Sequence, residues 1–131
     1  MDESNIGAAI EKMGITFREI TPEHAVGVMP VEGNTQPFGI LHGGAAAFLA
    51  ETVASFAAYK WAQKSGMSAV GAHLDITHIK PGLSGNIICT VDAIHLGRRT
   101  AVYRFENVCE NANRVISAGV MSCAIVDHPE K

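Results

Sequence analysis

The stretch from Gly43 to Lys64 restricts what this chain can fold into more than any other part of it. Ala45, Ala46, Ala47, Phe48, Leu49, Ala50, Val53, Ala54, Phe56, Ala57 and Ala58 leave almost no polar side. A run of helix formers that lasts until Ser65-Gly66 predicts one helix roughly 30 Å long, each residue adding about 1.5 Å. A surface helix shows a single apolar stripe, whereas a helix apolar all round must be covered all round. Lipid is not the cover. The most apolar part, Gly43 to Tyr59, carries Glu51 in its middle and falls short of the about 18 uninterrupted residues of a membrane span.

Protein must therefore enclose the helix, and the flanking sequence supplies strands. After Gly66 the period changes from helical to alternating: Val70, Ala72, Leu74 and Ile76 fall on one face of Ala69–Ile79, and His73, Asp75 and Thr77 on the other. Pro81-Gly82 reads as a turn. Gly85–Leu96, Thr100–Cys109 and Arg114–Val126 are three further strands, separated by Gly97-Arg98-Arg99 and by Glu110-Asn111-Ala112-Asn113. Upstream, Ser4 is placed to cap a short helix in which Ile6, Ile10 and Met13 share a face and Gly14 is the stop. Ile15–Ile20 and His24–Val31 follow as strands, then a loop from Glu32 to Ile40. The expectation is a single α+β domain over residues 1–131, an antiparallel sheet of about six strands wrapped around one long central helix. Six strands cover one flank of that helix. A second copy of the chain is the simplest cover for the other, and a two-fold dimer the commonest arrangement.

Composition removes several classes of function. Ten basic against 13 acidic residues give a net charge of −3 and a pI near 6.0, so no nucleic-acid partner is expected. Met1-Asp2-Glu3-Ser4 is acidic where a signal peptide needs a basic start. Three cysteines, Cys89, Cys109 and Cys123, are an odd number without C-x-x-C spacing, which suggests reduced buried thiols in a cytoplasmic protein. With no H-E-x-x-H, no H-x-H and no cysteine pair, a metal site is not expected. Neither a G-x-S-x-G elbow nor a Walker loop is present.

A few residues stand out as chemistry. Glu51 sits in the apolar helix with Ser55 four residues on, on the same face. An unpaired buried carboxylate costs several kcal/mol, so Glu51 either lies at a solvent edge, pairs with a basic neighbour, or has a task. His42-Gly43-Gly44 opens the helix: free N–H groups there can hold a developing oxyanion, though a tight entry turn alone would also use two glycines. Glu51 lies eight residues beyond Gly43, roughly 12 Å along the axis. Two helices antiparallel across a dimer axis could bring one chain's Gly43 to the other's Glu51. His78 continues the phase of Leu74 and Ile76 and would face the helix. Gly97-Arg98-Arg99 is either a solvated hairpin turn or, through the guanidinium fork, a seat for phosphate.

The run Gln36-Pro37-Phe38-Gly39-Ile40-Leu41-His42-Gly43-Gly44, followed by Leu49-Ala50-Glu51-Thr52-Val53-Ala54-Ser55, resembles the hotdog-fold acyl-CoA thioesterases. It is most like the aryl-acyl enzymes of the menaquinone and enterobactin pathways and the phenylacetate type. Val70-Gly71 through His78, and His95-Leu96-Gly97-Arg98-Arg99, extend the likeness over about residues 15 to 126. The resemblance implies that Gln36 and the Gly43 amide polarise the thioester carbonyl, with His42 supporting that end. Glu51 of the partner subunit would be nucleophile or general base. Ser55 and His78 would position the water, and Gly97, Arg98 and Arg99, with Val70 and Gly71, would receive coenzyme A. No cofactor is implied beyond coenzyme A as part of the substrate. Residues 72–77 and Lys80 depart from the family's usual residues, which bears on acyl choice and phosphate contacts. Phe48, Phe56, Tyr59 and Met67 are expected pocket walls, compatible with aromatic groups (dihydroxynaphthoyl, hydroxyphenylacetyl) or medium-chain ones. The thiol carrier would be coenzyme A or a phosphopantetheinyl carrier protein, and the assembly a homodimer or homotetramer. A non-catalytic acyl-CoA-binding module and a hotdog hydratase share the fold and compete with this reading.

Overall fold

Residues 43–63 hold the helix formers, and the computed structural model, which describes residues 5–128, winds them into one helix of 21 residues. In chain order the elements are α1 (Ala8–Lys12), β1 (Thr16–Ile20), β2 (His24–Pro30), α2 (Gly43–Gln63), β3 (Ser68–His78), β4 (Asn86–Leu96), β5 (Thr100–Cys109) and β6 (Arg114–Val126). The strands form one antiparallel sheet in the order β1-β2-β4-β5-β6-β3, and α2 touches all six. This is the α+β hotdog arrangement that the residue pattern and the resemblance point to.

Alternation explains the inner face. Ile87, Cys89 and Val91 of β4, Ala101, Tyr103 and Phe105 of β5, and Met121 and Cys123 of β6 are buried against Leu49, Val53 and Ala57 of α2. Ends differ from expectation by a residue or so, as hydrogen-bond ladders fray. The larger correction is at the start of the chain. Gly7, not Ser4, caps α1, and Ile6 precedes that helix; Ser4 lies outside the described residues.

β3 also departs from the alternation read in the sequence. Gly71 pairs with Cys123 and His73 with Ser122, so Ala72 is an extra residue, a β-bulge. Beyond it Leu74 and Ile76 keep the inward phase; before it the phase is reversed. Ala69 and Gly71 face the helix, and Val70 points outward, 47% exposed.

The sheet leaves one line of α2 uncovered. Gly44 and Glu51 are exposed and Phe48 and Ser55 half-buried, a 4-3-4 spacing that traces a single stripe down the helix. Beside the stripe runs β3, an 11-residue edge strand with one side unpaired in the chain.

Candidate active site

The helix entrance is built by the loop between β2 and α2. Thr35 and Leu41 bridge across it, Gln36 N–H donates to Ile40 O at 2.9 Å, and Gly39 turns the chain at φ 82°. The Gln36 side chain is fixed at one end: its Oε1 accepts from Phe38 N–H, so Nε2 is the donor it presents to the cleft. His42 is the N-cap of α2. Its Nδ1 accepts from Gly44 N–H at 2.8 Å, which makes Nδ1 the bare nitrogen and leaves the proton on Nε2. The N–H groups of Ala45 and Ala46 turn back to His42 O. Gly43 N–H has no acceptor among the described residues, at the end of the helix where partial positive charge collects.

His78, from the end of β3, presses on this turn. A Cβ on Gly43 would stand 2.9 Å from His78 Nε2, so any side chain there would make the imidazole shift. Gln36, Gly43 and His78 share a cleft of about 410 Å³ whose apolar walls include Ile40, Leu41, Ala46, Pro81 and Ile116, with Lys80 also lining it. Ile116 reaches it through a second bulge: Asn107 pairs with Ser117 and Val108 with Val115, so Ile116 is the extra residue of β6.

Glu51 lies two turns down α2. In the single chain it is exposed, with no ion pair among the described residues, so of the readings open in the sequence the solvent edge is the one found. Its carboxylate leans on β3, where Oε2 is 3.3 Å from the point a Gly71 Cβ would occupy. Ser55 and the buried Cys123 complete this group. Burial pushes the Cys123 thiol up to about 11, a Ser55 hydrogen bond works against the rise, and the Glu51 carboxylate adds to it.

A third group lies at the far end of α2. Trp61 Nε1–H donates to Gly97 O at 2.8 Å and Ile125 N–H to Arg99 O at 2.9 Å, which fix the turn and leave Arg98 and Arg99 exposed. Thr100 and Val70 pair with the same residue of β6, Ala124, so this turn and the Val70-Gly71 segment are close neighbours.

Within one chain the expected site residues thus fall into separate groups. Gln36, His42, Gly43 and His78 gather at the helix entrance; Glu51, Ser55 and Gly71 lie further along; Gly97, Arg98 and Arg99 stand at the other end. His78 and Ser55, expected to act on one water, are apart in the chain. Phe56 is not a wall of the cleft: it packs on Phe17, ring centroids 4.6 Å apart, and lines a different crevice with Lys60. Tyr59 is buried and accepts from Gln63 Nε2 at 3.1 Å. The sequence reading missed Ile116, because a bulge leaves no mark in hydrophobic alternation. It also missed the buried polar pair Asn107 and Ser117, the second of which follows the β6 bulge directly.

Residues 38–116 match the model of the Thioesterase superfamily, and the chain belongs to that family. It is a thioester hydrolase with the hotdog fold. The proofreading thioesterase EntH of Cronobacter sakazakii is 31% identical over 115 residues, 87% of this chain and 83% of EntH. ComA2 of Bacillus subtilis (strain 168), an esterase by name only, is 36% identical over 118 residues, 89% of this chain and 93% of ComA2. A crystal structure of a glutamine-to-alanine mutant of the thioesterase PA1618 from Pseudomonas aeruginosa superposes with a TM-score of 0.86 at 31% identity, covering 94% of this chain and 88% of that one. Among the described residues no helix is long and apolar enough to cross a membrane.

Proposed function

We propose that the chain hydrolyses an aromatic acyl-coenzyme A in a site that two subunits share. The observation that carries this reading is a separation. The Gly43 N–H, without an acceptor among the described residues, and the Gln36 amide meet in an apolar-walled cleft, while Glu51, eight residues along the same helix, has no ion pair among the described residues. A second chain packed along the bare stripe of α2 and the open edge of β3 supplies the missing carboxylate to each cleft.

In that arrangement Gly43 N–H and Gln36 Nε2–H donate to the thioester oxygen and hold the negative charge that develops there. His42 keeps the helix entrance in shape. Glu51 of the partner subunit takes a proton from water as the water oxygen bonds to the carbonyl carbon, or attacks that carbon itself to give an anhydride that water opens. The carbon–sulfur bond breaks, coenzyme A leaves as thiolate, and the proton passes to it. Ser55, beside Glu51 in the partner subunit, meets His78 only across the interface, and there the two position the water. A thioester is already an activated acyl group, so a carboxylate with two donors suffices.

Arg98 and Arg99 receive the nucleotide phosphates at the surface, with Val70 and Gly71 along the way. The aromatic acyl group rests on the resemblance to aryl-acyl enzymes; the thioesterase activity itself is shared with relatives such as EntH, which is named a proofreading thioesterase. Medium-chain acyl groups and phosphopantetheinyl carriers are the alternatives to compare. Three free buried thiols fit a reducing compartment, and the reading places the enzyme in the cytoplasm.

Thiol release from benzoyl-, hydroxyphenylacetyl-, dihydroxynaphthoyl-, hexanoyl- and lauroyl-CoA tests the proposal. The aromatic thioesters should be cleaved fastest, and Glu51→Ala should lose at least about 100-fold in kcat/KM, the lower end of what a general base contributes. Binding of acyl-CoA without thiol release would make the protein a carrier module instead.

A further inference from the structure

Beneath the first turns of α2 the inner face of the sheet is polar where the rest of it is apolar. Asn107 of β5, Ser117 of β6 and His78 of β3 are neighbours in register, forming a row across three strands. His78 stands against Gly43 at one end of the row. At the other, Asn107 Nδ2 donates to Ala46 O, on the fourth residue of the helix, at 3.1 Å and to Ser117 Oγ at 2.9 Å. Asn107 and Ser117 are both 0% exposed, and Asn107 Oδ1 has no hydrogen-bond partner among the described residues. A leucine facing an alanine would fill that layer without leaving a polar atom unpaired, so packing alone does not account for the Asn107–Ser117 pair here.

The helix entrance needs an anchor. Its first two residues, Gly43 and Gly44, carry no side chains that could wedge the turn against the sheet. The cleft beside them is open on the side where substrate enters. Beside the buried Leu41, Ala45 and Ala46, two contacts from the row beneath help to set the distance from sheet to turn: the imidazole against Gly43, and the amide bound to Ala46. We infer that Asn107 is a positioning residue for thioester hydrolysis, a buried bracket that holds the first turns of α2 so that Gly43 N–H meets the substrate carbonyl. Asn107 is fully buried and is not among the residues that line the cleft. It acts through Ala46 and, by way of Ser117, through the strand that carries His78. The inference rests on the reading of Gly43 N–H as carbonyl donor given above.

The test uses the full-length protein, with Asn107→Leu, a near-isosteric apolar replacement, and Ser117→Ala, which removes the acceptor of one arm. For Asn107→Leu the melting temperature should change little, because removing the unpartnered Oδ1 offsets leaving Ser117 Oγ without its donor, while kcat falls at least roughly ten-fold, short of the about 10²–10³ expected for losing an oxyanion donor outright. KM should stay within about two-fold, because a misplaced oxyanion donor acts on the transition state more than on binding. Ser117→Ala should lower kcat in the same direction by a smaller factor, and it carries the test if the leucine variant does not fold. Vibrational difference spectra of acyl-CoA bound to a Glu51→Gln background add a readout that a purely structural role would not move. There the thioester carbonyl stretch should be shifted down from its value in solution, and adding Asn107→Leu should reverse part of the shift. A normal downshift and normal kcat in Asn107→Leu would overturn this inference and leave the carbonyl reading standing. No downshift in the Glu51→Gln background would overturn both.

Discussion

Glu51 and Cys123 differ in what enclosure does to them. Glu51 is exposed and makes no ion pair among the described residues, so Glu51→Ala should keep the fold and lose the chemistry. Cys123 is fully buried, and its thiol sits near 11 instead of the ordinary 9.0 because burial disfavours the thiolate. The native state keeps a proton that the unfolded chain gives up above about 9. The stabilisation is therefore complete below pH 9 and is lost as pH rises toward about 11. Thermal unfolding at about pH 8, 9.5 and 11 should show Cys123→Ala, less stable than wild type at the lowest pH, losing less stability between 9 and 11. Parallel losses would assign the alkaline sensitivity to other groups, such as Cys89 or Tyr103, which burial also raises. At this scale the sequence was informative about identity and silent about surroundings. Gln36, His42, Gly43 and Glu51 stand out through the family resemblance of the runs that carry them. That Asn107 is buried under the helix is not, because a lone asparagine in a strand reads as an outward residue.

Elements were the most legible level. A helical period over 43–64 and alternation in the strands are direct consequences of which side each residue must bury, and β5 and β6 end where their turn residues say. The misplacements have a backbone cause. Ala72 and Ile116 are extra residues in their ladders, and a bulge shifts the phase of everything on one side of it without altering composition. Val70 was read as inward for that reason. The spacing between helix and sheet gives a prediction of its own. Gly27 of β2 lies under Val53 of α2, and a Cβ there would be 2.4 Å from Val53 Cγ2. Valine in a helix has essentially one χ1 rotamer, so it cannot swing aside. Gly27→Ala should therefore push α2 off the sheet at a cost of about 1–3 kcal/mol, the usual penalty for overpacking a core. Urea unfolding measures it; an unchanged midpoint would mean that helix and sheet separate more easily than their packing suggests.

For the whole molecule, a single chain leaves too much unfinished. Glu51 lies on a bare helix stripe, β3 offers an open edge, and the cleft holds donors without a carboxylate among its lining residues. The sequence reading expected a second subunit from the amount of apolar helix surface; the sheet covers most of α2 and leaves one stripe, so that proposal now rests on the stripe and the open edge of β3. Which residues each subunit contributes was suggested by the eight-residue gap between Gly43 and Glu51, a distance one straight helix cannot close. Subunit complementation tests this sharing most directly. Glu51→Ala and Gln36→Ala are each expected to be nearly inactive alone. Unfolded together in equal amounts and refolded, half the dimers should be mixed, each with one site that received both native groups, so about a quarter of wild-type activity should return. A mixture no more active than the sum of its parents would show that each chain uses its own Glu51 with its own Gln36, and the shared site would be wrong.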